Sequence, residues 1–214
     1  MYFQYGESET GYLKAKDKKL GDIIERLGHI NRTVHPDIFA SLVNSIVAQQ
    51  ISGKAAETVW ARLMAQVGTM DASHILAAGT NTLQSCGMSF KKAENIVDLA
   101  AKVDSGTFDL EAIKQMPDTE AIKALSSLKG IGIWTAEMML LFCLERPDIL
   151  SFGDFGIQKG LRMVYHHRKI DRKLFEKYRR RYSPYGSVAS LYLWAVAGGA
   201  IPEMRDYAPK AKKS

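Results

Sequence analysis

Residues 128–136 read Leu-Lys-Gly-Ile-Gly-Ile-Trp-Thr-Ala, a turn with two glycines between one helical segment that ends and a strongly apolar one that begins. Glycine adopts positive φ at no steric cost and leaves the neighbouring amides uncovered, so a phosphate can reach the N–H groups that start the second helix. The amides predicted to make that contact are those of Gly130, Gly132, Ile133 and Thr135. The carbonyls predicted to hold a monovalent cation beside the phosphate are those of Leu128, Gly130 and Ile133. An ordinary helix–turn–helix connection explains the same residues equally well. The turn alone therefore does not show whether it binds phosphate, and the rest of the chain is needed to choose between the two interpretations.

Apolar residues on either side of this turn recur at steps of three and four, which is the spacing of amphipathic helices. The helical segments predicted in this way cover residues 39–51, 59–67, 71–79, 90–100, 118–128, 133–144, 174–182 and 188–197. The segment Ile133–Leu144 is apolar almost all round, which predicts a helix buried on every face. No run of residues alternates as a half-buried strand does. The sequence therefore predicts an all-α fold, with the residues up to Ala15 left unassigned and a frayed basic tail at Pro209–Ser214.

The composition is that of an ordinary globular protein, with 46% of the 214 residues apolar and 24% charged. The longest nearly apolar stretch, Val188–Ile201, is shorter than the ~20 residues that a membrane-spanning helix needs, and no basic-then-apolar leader opens the chain. Cys86 and Cys143 are too few for a disulfide scaffold or a four-thiolate metal or iron–sulfur site. We therefore expect an intracellular protein in a reducing compartment, without membrane association.

Positive charge is concentrated late in the chain. The net charge is +6, but residues 159–181 hold ten lysines and arginines against two acidic residues, which gives +8 in that segment alone. A basic balance favours a polyanionic partner such as nucleic acid. A solvated helical face is the more common meaning of such a run. We predict that phosphate contacts come from the face between Lys159 and Arg181, with Lys159, which opens the segment, as the named candidate.

Five stretches in chain order resemble the helix–hairpin–helix superfamily of DNA glycosylases and, within it, the 3-methyladenine DNA glycosylase II branch. The glycine turn at 128–136 is similar to the superfamily's hairpin, and Ser-Phe-Gly-Asp-Phe-Gly-Ile at 151–157 is similar to the aspartate-bearing turn that follows it about twenty residues on. The stretches that resemble the branch are Ile46–Ser52, Cys86–Ala93 and Pro184–Trp194. The resemblance covers the chain from about residue 20 to 200. It departs from the family pattern at Lys129, where proline is usual, and at Gly186, where arginine is usual and would supply an ion pair or a phosphate contact.

The resemblance implies an all-α, two-lobed helix–hairpin–helix glycosylase fold with a DNA-binding cleft between the lobes. The glycosylase domain would cover residues 16–208. One lobe would be a central helical bundle of about residues 40–130, and the other would join about residues 16–39 to residues 131–208. Asp154 would lie in the cleft.

Asp154 is the residue to which the resemblance gives the catalytic role. Cleavage of an N-glycosidic bond builds positive charge on the sugar, which a nearby carboxylate stabilises electrostatically. The same carboxylate can align or deprotonate the attacking water. Spacing alone favours a different role, the N-cap of a helix that starts near Gly156. The two roles are compatible, because a helix start favours a negative charge.

Aromatic residues at positions that match the family indicate which reaction and which substrate to expect. Superfamily members that also cut the DNA backbone carry a lysine at the position of Trp134 and form a Schiff base with the sugar. Trp134 cannot do so, and the resemblance therefore implies a monofunctional glycosylase that uses water. An alkylated purine is positively charged, so an electron-rich ring can bind it by cation–π stacking. The resemblance places Trp134 and Trp194 in the base pocket, with Tyr192 as a further candidate, whereas core packing is the alternative for each ring.

Base flipping would need residues from two further motifs. The family fills the gap left by the flipped base with an apolar wedge from the mid-chain turn. Phe90 stands at that position with Met88 as its substitute, and the alternative for Phe90 is the first core position of helix 90–100. Gln49 and Gln50 are the candidates for contacts with the orphaned base. Gln50 falls on the apolar stripe of its helix, where a buried amide needs a partner.

The function that the resemblance implies is excision of alkylated purines of the 3-methyladenine type from duplex DNA, the first step of base-excision repair. We expect a monomer that acts on double-stranded DNA without a cofactor or an obligate protein partner. Its compartment would be the bacterial cytoplasm and nucleoid, or the nucleus in a eukaryote. Two alternatives stay open: a non-catalytic helix–hairpin–helix module that binds damaged DNA, and a superfamily enzyme for oxidised or mismatched bases.

Overall fold

A computed structural model describes residues 1–209, which form twelve α-helices. In chain order the helices are α1 (Glu7–Lys16), α2 (Lys18–Leu27), α3 (Ile38–Ala48), α4 (Gly53–Val67), α5 (Ala72–Ser85), α6 (Phe90–Asp104), α7 (Leu110–Gln115), α8 (Asp118–Ser126), α9 (Ile133–Phe142), α10 (Phe155–Tyr165), α11 (Arg172–Tyr182) and α12 (Gly186–Ala197). The described residues contain no strand, only an isolated bridge between Tyr2 and Thr33. The predicted all-α fold is confirmed, while the predicted basic tail lies outside the described residues from Lys210 on. No helix within residues 1–209 has the length and apolar character needed to cross a membrane.

The chain divides into two compact units. The terminal unit consists of Met1–Val34 together with the chain from Glu145 onward, and the central unit is His35–Leu144. The two hairpin helices α8 and α9 pack against each other, and both belong to the central unit. The sequence analysis instead divided the chain between them, at residue 130.

The core of the central unit is filled by leucine and isoleucine side chains of α3, α4, α5 and α6. The fully buried ones are Leu42, Ile46, Leu63, Ile75, Leu83, Ile96 and Leu99. Each of these four helices begins at a side chain whose oxygen accepts an amide of the first turn, and these caps are Asp37, Ser52, Asp71 and Ser89. Helix α5 bends at Gly79, with φ 73°, where the sequence analysis predicts the helix to end.

Helices α10 and α12 of the terminal unit pack closely because two glycines of α10 present no side chain. A Cβ on Gly160 would lie 2.4 Å from the carbonyl oxygen of Leu193, and a Cβ on Gly156 would lie 2.7 Å from Cδ1 of Trp194. The two glycines are four residues apart and therefore share one face of α10. Because these glycines have no side chains, α12 can approach the start of α10, where Asp154 lies.

Two regions differ from the sequence predictions. The opening residues, left unassigned above, pack into the terminal unit: Phe3 is buried, its amide donates to the Arg32 carbonyl at 2.8 Å, and α1 buries Leu13. The prediction that the helix from Ile133 is buried on every face is wrong for its first turn, because Ile133 and Trp134 are exposed.

Candidate functional site

Asp154 caps the helix that follows it. Its Oδ1 accepts a 2.7 Å hydrogen bond from the amide of Ile157, the third residue of α10. The side chain is buried, and the N-terminal end of the helix favours a negative charge there. The N-cap role that spacing predicts for Asp154 is confirmed, and its catalytic role stays a prediction.

The indole of Trp194 fixes the same carboxylate from α12. Its Nε1 donates a 2.8 Å hydrogen bond to Oδ1 of Asp154, so this oxygen accepts both a backbone amide and an indole N–H. The ring fits only because Gly156 has no side chain: a Cβ there would lie 2.7 Å from Cδ1 and 3.2 Å from Nε1 of the indole. The structure thus brings together two of the predicted site residues, Asp154 and Trp194, within the terminal unit.

Small residues at the start of α12 hold the loop that leads into α10. Ser187 Oγ accepts a 2.9 Å hydrogen bond from the Ile149 amide, and Ser190 Oγ donates a 3.0 Å bond to the Ile149 carbonyl. The Gly186 amide donates to Oδ1 of Asp148 at 3.0 Å, and a Cβ on Gly186 would lie 2.9 Å from that oxygen. Any side chain at Gly186, the family's arginine included, would therefore displace Asp148. The role of the two serines was not predicted, although two polar residues inside an otherwise apolar helix were a signal for it.

Phe155 is an exposed aromatic residue at the first position of α10, directly after Asp154. Its exposed fraction is 74%, and the Arg162 guanidinium lies 5.9 Å from its ring. Single exposed apolar side chains are common on protein surfaces, so exposure alone assigns no role. Its place beside the buried carboxylate makes Phe155 a candidate contact residue. The sequence analysis missed it, although an aromatic side chain directly after the capping aspartate was visible.

Tyr192 lies in the core of the terminal unit. Its ring is fully buried, its hydroxyl donates to the Gly28 carbonyl at 2.9 Å, and burial raises the pKa of the phenol above its usual value. Two residues along a helix are separated by about 200° around the axis, so Tyr192 and Trp194 face different directions. The structure does not bring Tyr192 to Asp154, and a pocket role for it has no support here.

The glycine turn between α8 and α9 is the hairpin for which the sequence predicts phosphate binding. Gly130 has φ +82°, and a Cβ there would lie 2.7 Å from Nδ2 of Asn95. Gly132 is the N-cap of α9 and has no side chain with which to cap it. The first-turn residues are exposed up to Trp134, and Thr135 is half-buried. Lys129, which replaces the family's proline, pairs with Asp98 at 2.6 Å, and this contact raises the lysine pKa.

Oxygen atoms around this turn suit a monovalent cation. The Leu128 carbonyl accepts from the Ile131 amide at 3.1 Å and the Gly130 carbonyl from Nε2 of Gln49 at 2.7 Å, and each oxygen keeps a second lone pair. Asn95, whose amide lies against Gly130, has a buried Oδ1 with no hydrogen-bond partner in the part of the chain that the structure describes. Neutral oxygen ligands of this kind fit a hard cation. Within residues 1–209 no cluster of three His, Cys, Asp or Glu side chains could hold a metal ion.

The turn before α6 exposes Phe90 and buries Met88, with exposed fractions of 55% and 6%. Ser89 caps α6 by accepting the Lys92 amide on its Oγ, which makes Phe90 the first helical residue. The core alternative for Phe90 is therefore wrong. Met88 is buried, so Phe90 is the exposed apolar side chain of this turn, and the wedge role stays a prediction.

The two glutamines after α3 have different environments. The helix ends at Ala48, and Nε2 of Gln49 donates to the Gly130 carbonyl at 2.7 Å, so this side chain supports the hairpin. Gln50 has φ 57° and is exposed. The prediction that Gln50 lies on the apolar stripe and needs a buried partner is wrong, because the helix stops before it.

Lys159 is held by the end of α12. Its Nζ donates to the Ala197 carbonyl at 2.7 Å, and the side chain is half-buried. A lysine at a helix C-terminus satisfies a carbonyl that the helix itself leaves without a donor. The structure therefore gives Lys159 a partner other than the predicted phosphate.

Part of the positive charge of the basic segment is paired with acidic residues inside the terminal unit. Arg162 is buried and makes two hydrogen bonds to Asp206, at 2.7 and 2.6 Å, and Arg181 pairs with the buried Asp17. The exposed cations of the segment that have no acidic partner among residues 1–209 are Arg168, Lys169, Lys173, Lys177 and Arg180. The free basic face is therefore smaller than the charge count indicates.

Comparisons with known proteins agree with this geometry. The HhH-GPD superfamily base excision DNA repair protein family matches residues 43–184. The crystal structure of a DNA-3-methyladenine glycosidase from Bacillus halodurans is 36% identical to this chain, with a TM-score of 0.86 and 97% of both chains covered. The structure of Schizosaccharomyces pombe 3-methyladenine DNA glycosylase in complex with abasic DNA is 25% identical, with a TM-score of 0.75, and covers 89% of this chain and 97% of that one. DNA-3-methyladenine glycosylase 1 of the same yeast is 27% identical over 196 residues, which are 87% of this chain and 85% of the relative.

The matched residues include the parts of the chain that carry the candidate site, apart from α12 with Trp194. Residues 43–184 contain the Phe90 turn, the glycine hairpin and the capping carboxylate Asp154. The likeness to the Bacillus halodurans protein extends over nearly the whole length of both chains. The chain therefore belongs to the HhH-GPD superfamily of base excision DNA repair proteins, in the branch of the DNA-3-methyladenine glycosylases.

Proposed function

We propose that this protein is a monofunctional DNA glycosylase that hydrolyses the N-glycosidic bond of alkylated purines of the 3-methyladenine type in duplex DNA. The observation that carries the proposal is the buried carboxylate of Asp154, held at the start of α10 by the Ile157 amide and the Trp194 indole. The names of the relatives support the substrate class. The reaction is the first step of base-excision repair.

Asp154 supplies the negative charge that the reaction needs. As the bond between C1′ and the base nitrogen breaks, its electron pair leaves with the base and the sugar becomes oxocarbenium-like. The alkylated purine is cationic, so it departs as a neutral molecule without prior protonation. The carboxylate stabilises the sugar cation and takes the proton of the water whose oxygen bonds to C1′. Two hydrogen bonds to Oδ1 fix the carboxylate in advance, so little reorganisation is required during the reaction.

Aromatic faces account for the preference for a cationic base. Trp134 is 49% exposed at the start of α9, and Phe155 is exposed at the start of α10. An electron-rich ring attracts a cationic base through cation–π stacking. Trp194 donates its N–H to Asp154, and its half-buried ring stays a candidate for the base pocket. A tryptophan at position 134 offers no amine for a Schiff base, which leaves water as the nucleophile.

Phe90 and Gln50 are our candidates for the strand contacts that keep the base flipped out. Phe90 begins α6 with its ring in solvent, and an apolar side chain of this size can fill a vacated position in the base stack. Gln50 is exposed and carries both a donor and an acceptor, which suits the edge of an orphaned base.

The hairpin would hold the DNA backbone. The amides of Gly132, Ile133 and Thr135 lie at the start of α9, where the helix dipole favours an anion. A monovalent cation bound to the carbonyls of Leu128, Gly130 and Ile133 would add positive charge beside the phosphate. We further propose that the protein acts as a monomer, without another cofactor or an obligate protein partner.

The test is single-turnover release of free base from a methylated duplex by the wild type and by Asp154→Asn. Asparagine is as good an N-cap as aspartate and keeps an acceptor for Trp194, so this variant removes the charge and little else. Asp171→Asn is the matched control, because Asp171 caps α11 by the same kind of bond, 2.8 Å to the Leu174 amide. We expect a loss of about 10²-fold or more for Asp154→Asn and none for Asp171→Asn, with duplex binding retained by both.

Other outcomes select the alternatives. Binding of duplex without release of any base would make the protein a DNA-binding module. Release of oxidised or mismatched bases in preference to methylated ones would move it to another substrate class. Equal release by Asp154→Asn and the wild type would leave Asp154 with its capping role alone.

A further inference from the structure

Lys92 connects two segments of the central unit. It lies one turn into α6, and its Nζ donates to the carbonyls of Val47 and Gln49 at 2.8 and 2.5 Å. These carbonyls belong to the end of α3, so the ammonium satisfies acceptors that the helix leaves without donors. Partial burial of the ammonium lowers the pKa of Lys92, as expected for a charged group that points toward the protein.

Gln49 extends this connection to the hairpin. Its backbone carbonyl accepts from Lys92, while its side-chain Nε2 donates to the Gly130 carbonyl at 2.7 Å. One residue therefore has its main chain bonded to α6 and its side chain bonded to the turn before α9. The link spans 81 residues of sequence between Gln49 and Gly130.

Each of the three connected segments exposes a large apolar side chain. Phe90 stands two residues before Lys92, Ile51 two residues after Gln49, and Ile133 at the start of the helix that follows Gly130. Phe90 and Ile133 are the first residues of their helices, and Ile51 lies in the turn between α3 and α4. Without long-range bonds such positions would fray. Lys92 and Gln49 supply the long-range bonds.

We propose that Lys92 is a positioning residue that ties the Phe90 turn, through Gln49, to the glycine hairpin, so that insertion into the stack and phosphate binding share one fixed geometry. The inference rests on the proposed function, in which Phe90 enters the stack and the hairpin binds phosphate. An error of about 1 Å in such a geometry can cost 10²-fold in rate. A lysine that merely stabilised α3 would affect all substrates alike.

The distinguishing measurement compares a substrate that requires insertion with one that does not. The same methylated purine is placed in a fully paired duplex and in a single strand, where there is no partner base to separate and no gap to fill. Single-turnover release is measured for the wild type, Lys92→Met and Lys91→Met. Lys91 is the matched control: it is adjacent and exposed, and its acidic contact in the described chain is Glu94 at 4.0 Å.

We expect Lys92→Met to lose about 10-fold to 100-fold on the duplex and less than about 2-fold on the single strand. Lys91→Met should match the wild type on both. Lys92→Arg, whose guanidinium can still donate to two carbonyls, should recover most of the duplex rate. Melting temperatures establish that each variant is folded at the assay temperature. Equal losses of Lys92→Met on both substrates, or no loss on either, would overturn the proposal while leaving the proposed function intact.

A second readout separates this proposal from the proposed function. Fluorescence of 2-aminopurine next to an abasic site in a duplex rises when the protein unstacks the neighbouring base, and it requires no bond cleavage. The wild type and Lys91→Met should raise the signal, and Lys92→Met should not. If the wild type released no base from either substrate, the proposed function would fail, and this signal would decide for or against Lys92 by itself.

Discussion

The indole Nε1 of Trp194 and the backbone amide of Ile157 donate to one and the same oxygen, Oδ1 of Asp154, at 2.8 and 2.7 Å. The carboxylate is thereby fixed by two helices, since Ile157 belongs to α10 and Trp194 to α12. A side chain held at one oxygen from two directions has little rotational freedom left. Reactivity at Asp154 should therefore depend on α12 as well as on α10.

The first prediction concerns the hydrogen bond of the indole. Trp194→Phe removes the N–H and keeps an aromatic ring in the same space. We expect base release to fall about tenfold, because one hydrogen bond to a charged group is lost while Ile157 still caps α10. Single-turnover kinetics on methylated duplex measure the effect, and Trp60→Phe on α4 is the control. A rate equal to that of the wild type would mean that the indole N–H is not needed to hold Asp154.

The second prediction concerns the space that the indole occupies. In Gly156→Ala the new Cβ would lie 2.7 Å from Cδ1 of Trp194 and 3.2 Å from Oδ1 of Asp154. We expect a loss of about 1–3 kcal/mol in the free energy of unfolding, together with a drop in base release, because the ring must move away.

Gly11→Ala is the matched control for the same change. Gly11 also lies inside a helix of the terminal unit, and a Cβ there would have no neighbour within 4 Å. Alanine should stabilise that helix by about 0.5–1 kcal/mol. Thermal unfolding of both variants should therefore shift in opposite directions, and equal shifts would show that space beside Trp194 is not limiting.

The spacing of apolar residues predicts most helices of the central unit, because each helix has a narrow apolar stripe and begins at a recognisable capping residue. Ser89 caps α6 and Asp71 caps α5, and both helices follow from those residues. Helices α9 and α12 are apolar almost all round, so their sequence contains no stripe that distinguishes a buried from an exposed position. For this reason the exposure of Trp134 and the complete burial of Tyr192 could not be read from the pattern.

Long-range partners were beyond the reach of the sequence for a different physical reason. Whether Gln49 turns to the hairpin or to solvent depends on how α3 docks, and its partner Gly130 is 81 residues away. The same holds for Lys159, whose charge suggested a phosphate and whose partner is the end of α12. The residue type determines which interactions a side chain can make, but the packing of the helices decides which partner it contacts.

The third prediction concerns the hairpin glycine with positive φ. Gly130→Ala places a Cβ at φ +82° and 2.7 Å from the Asn95 amide. We expect the free energy of unfolding to fall by about 2–4 kcal/mol, as the sum of backbone strain and overpacking, and duplex binding to weaken.

Two variants separate these contributions. Gly68→Ala has a similar φ of +77° with no atom within 4 Å, so it should show the backbone strain alone, about 1–2 kcal/mol. Adding Asn95→Ala to Gly130→Ala should recover the remainder. Chemical denaturation measures all of them, and a Gly130→Ala variant no worse than Gly68→Ala would exclude a role for the Asn95 contact.

The fourth prediction concerns the exposed basic face of α11. Lys173, Lys177 and Arg180 recur at steps of four and three and therefore lie on one side of the helix. If this face touches the DNA backbone, replacing all three by glutamine should make the negative slope of log K against log salt shallower by up to about 2.7, at about 0.9 per phosphate contact.

A charge-matched control guards against a mere change in net charge. Replacing Lys54, Lys114 and Lys123 of the central unit by glutamine also removes three positive charges, and we expect it to leave the slope nearly unchanged. Binding of an undamaged duplex between 50 and 200 mM salt, about the range over which such contacts are felt, gives both slopes. Equal slopes for the two triple variants would remove α11 from the DNA footprint.

The fifth prediction concerns the pair of the buried Arg162 and the half-buried Asp206, which ties the C-terminal segment to α10. Hydrogen bonds from Arg162 lower the pKa of Asp206 below its usual value. The pair therefore contributes stability in full above the unfolded pKa of about 3.9 and loses it as pH falls through the lower folded pKa. Asp206→Asn should cost about 1–3 kcal/mol near pH 7, because it leaves a buried guanidinium without its counter-charge.

The same variant should lose its disadvantage in acid. Once the pH has fallen below the lowered pKa of Asp206 the wild-type carboxylate itself is protonated, so the melting temperatures of Asp206→Asn and the wild type should converge. Glu203→Gln is the control in the same segment, since Glu203 pairs with Arg26 at the surface and both side chains are exposed. Its melting temperature should stay close to the wild type's throughout, because exposed pairs contribute little. A gap between Asp206→Asn and the wild type that stayed constant with pH would mean that Asp206 acts through packing and not through its charge.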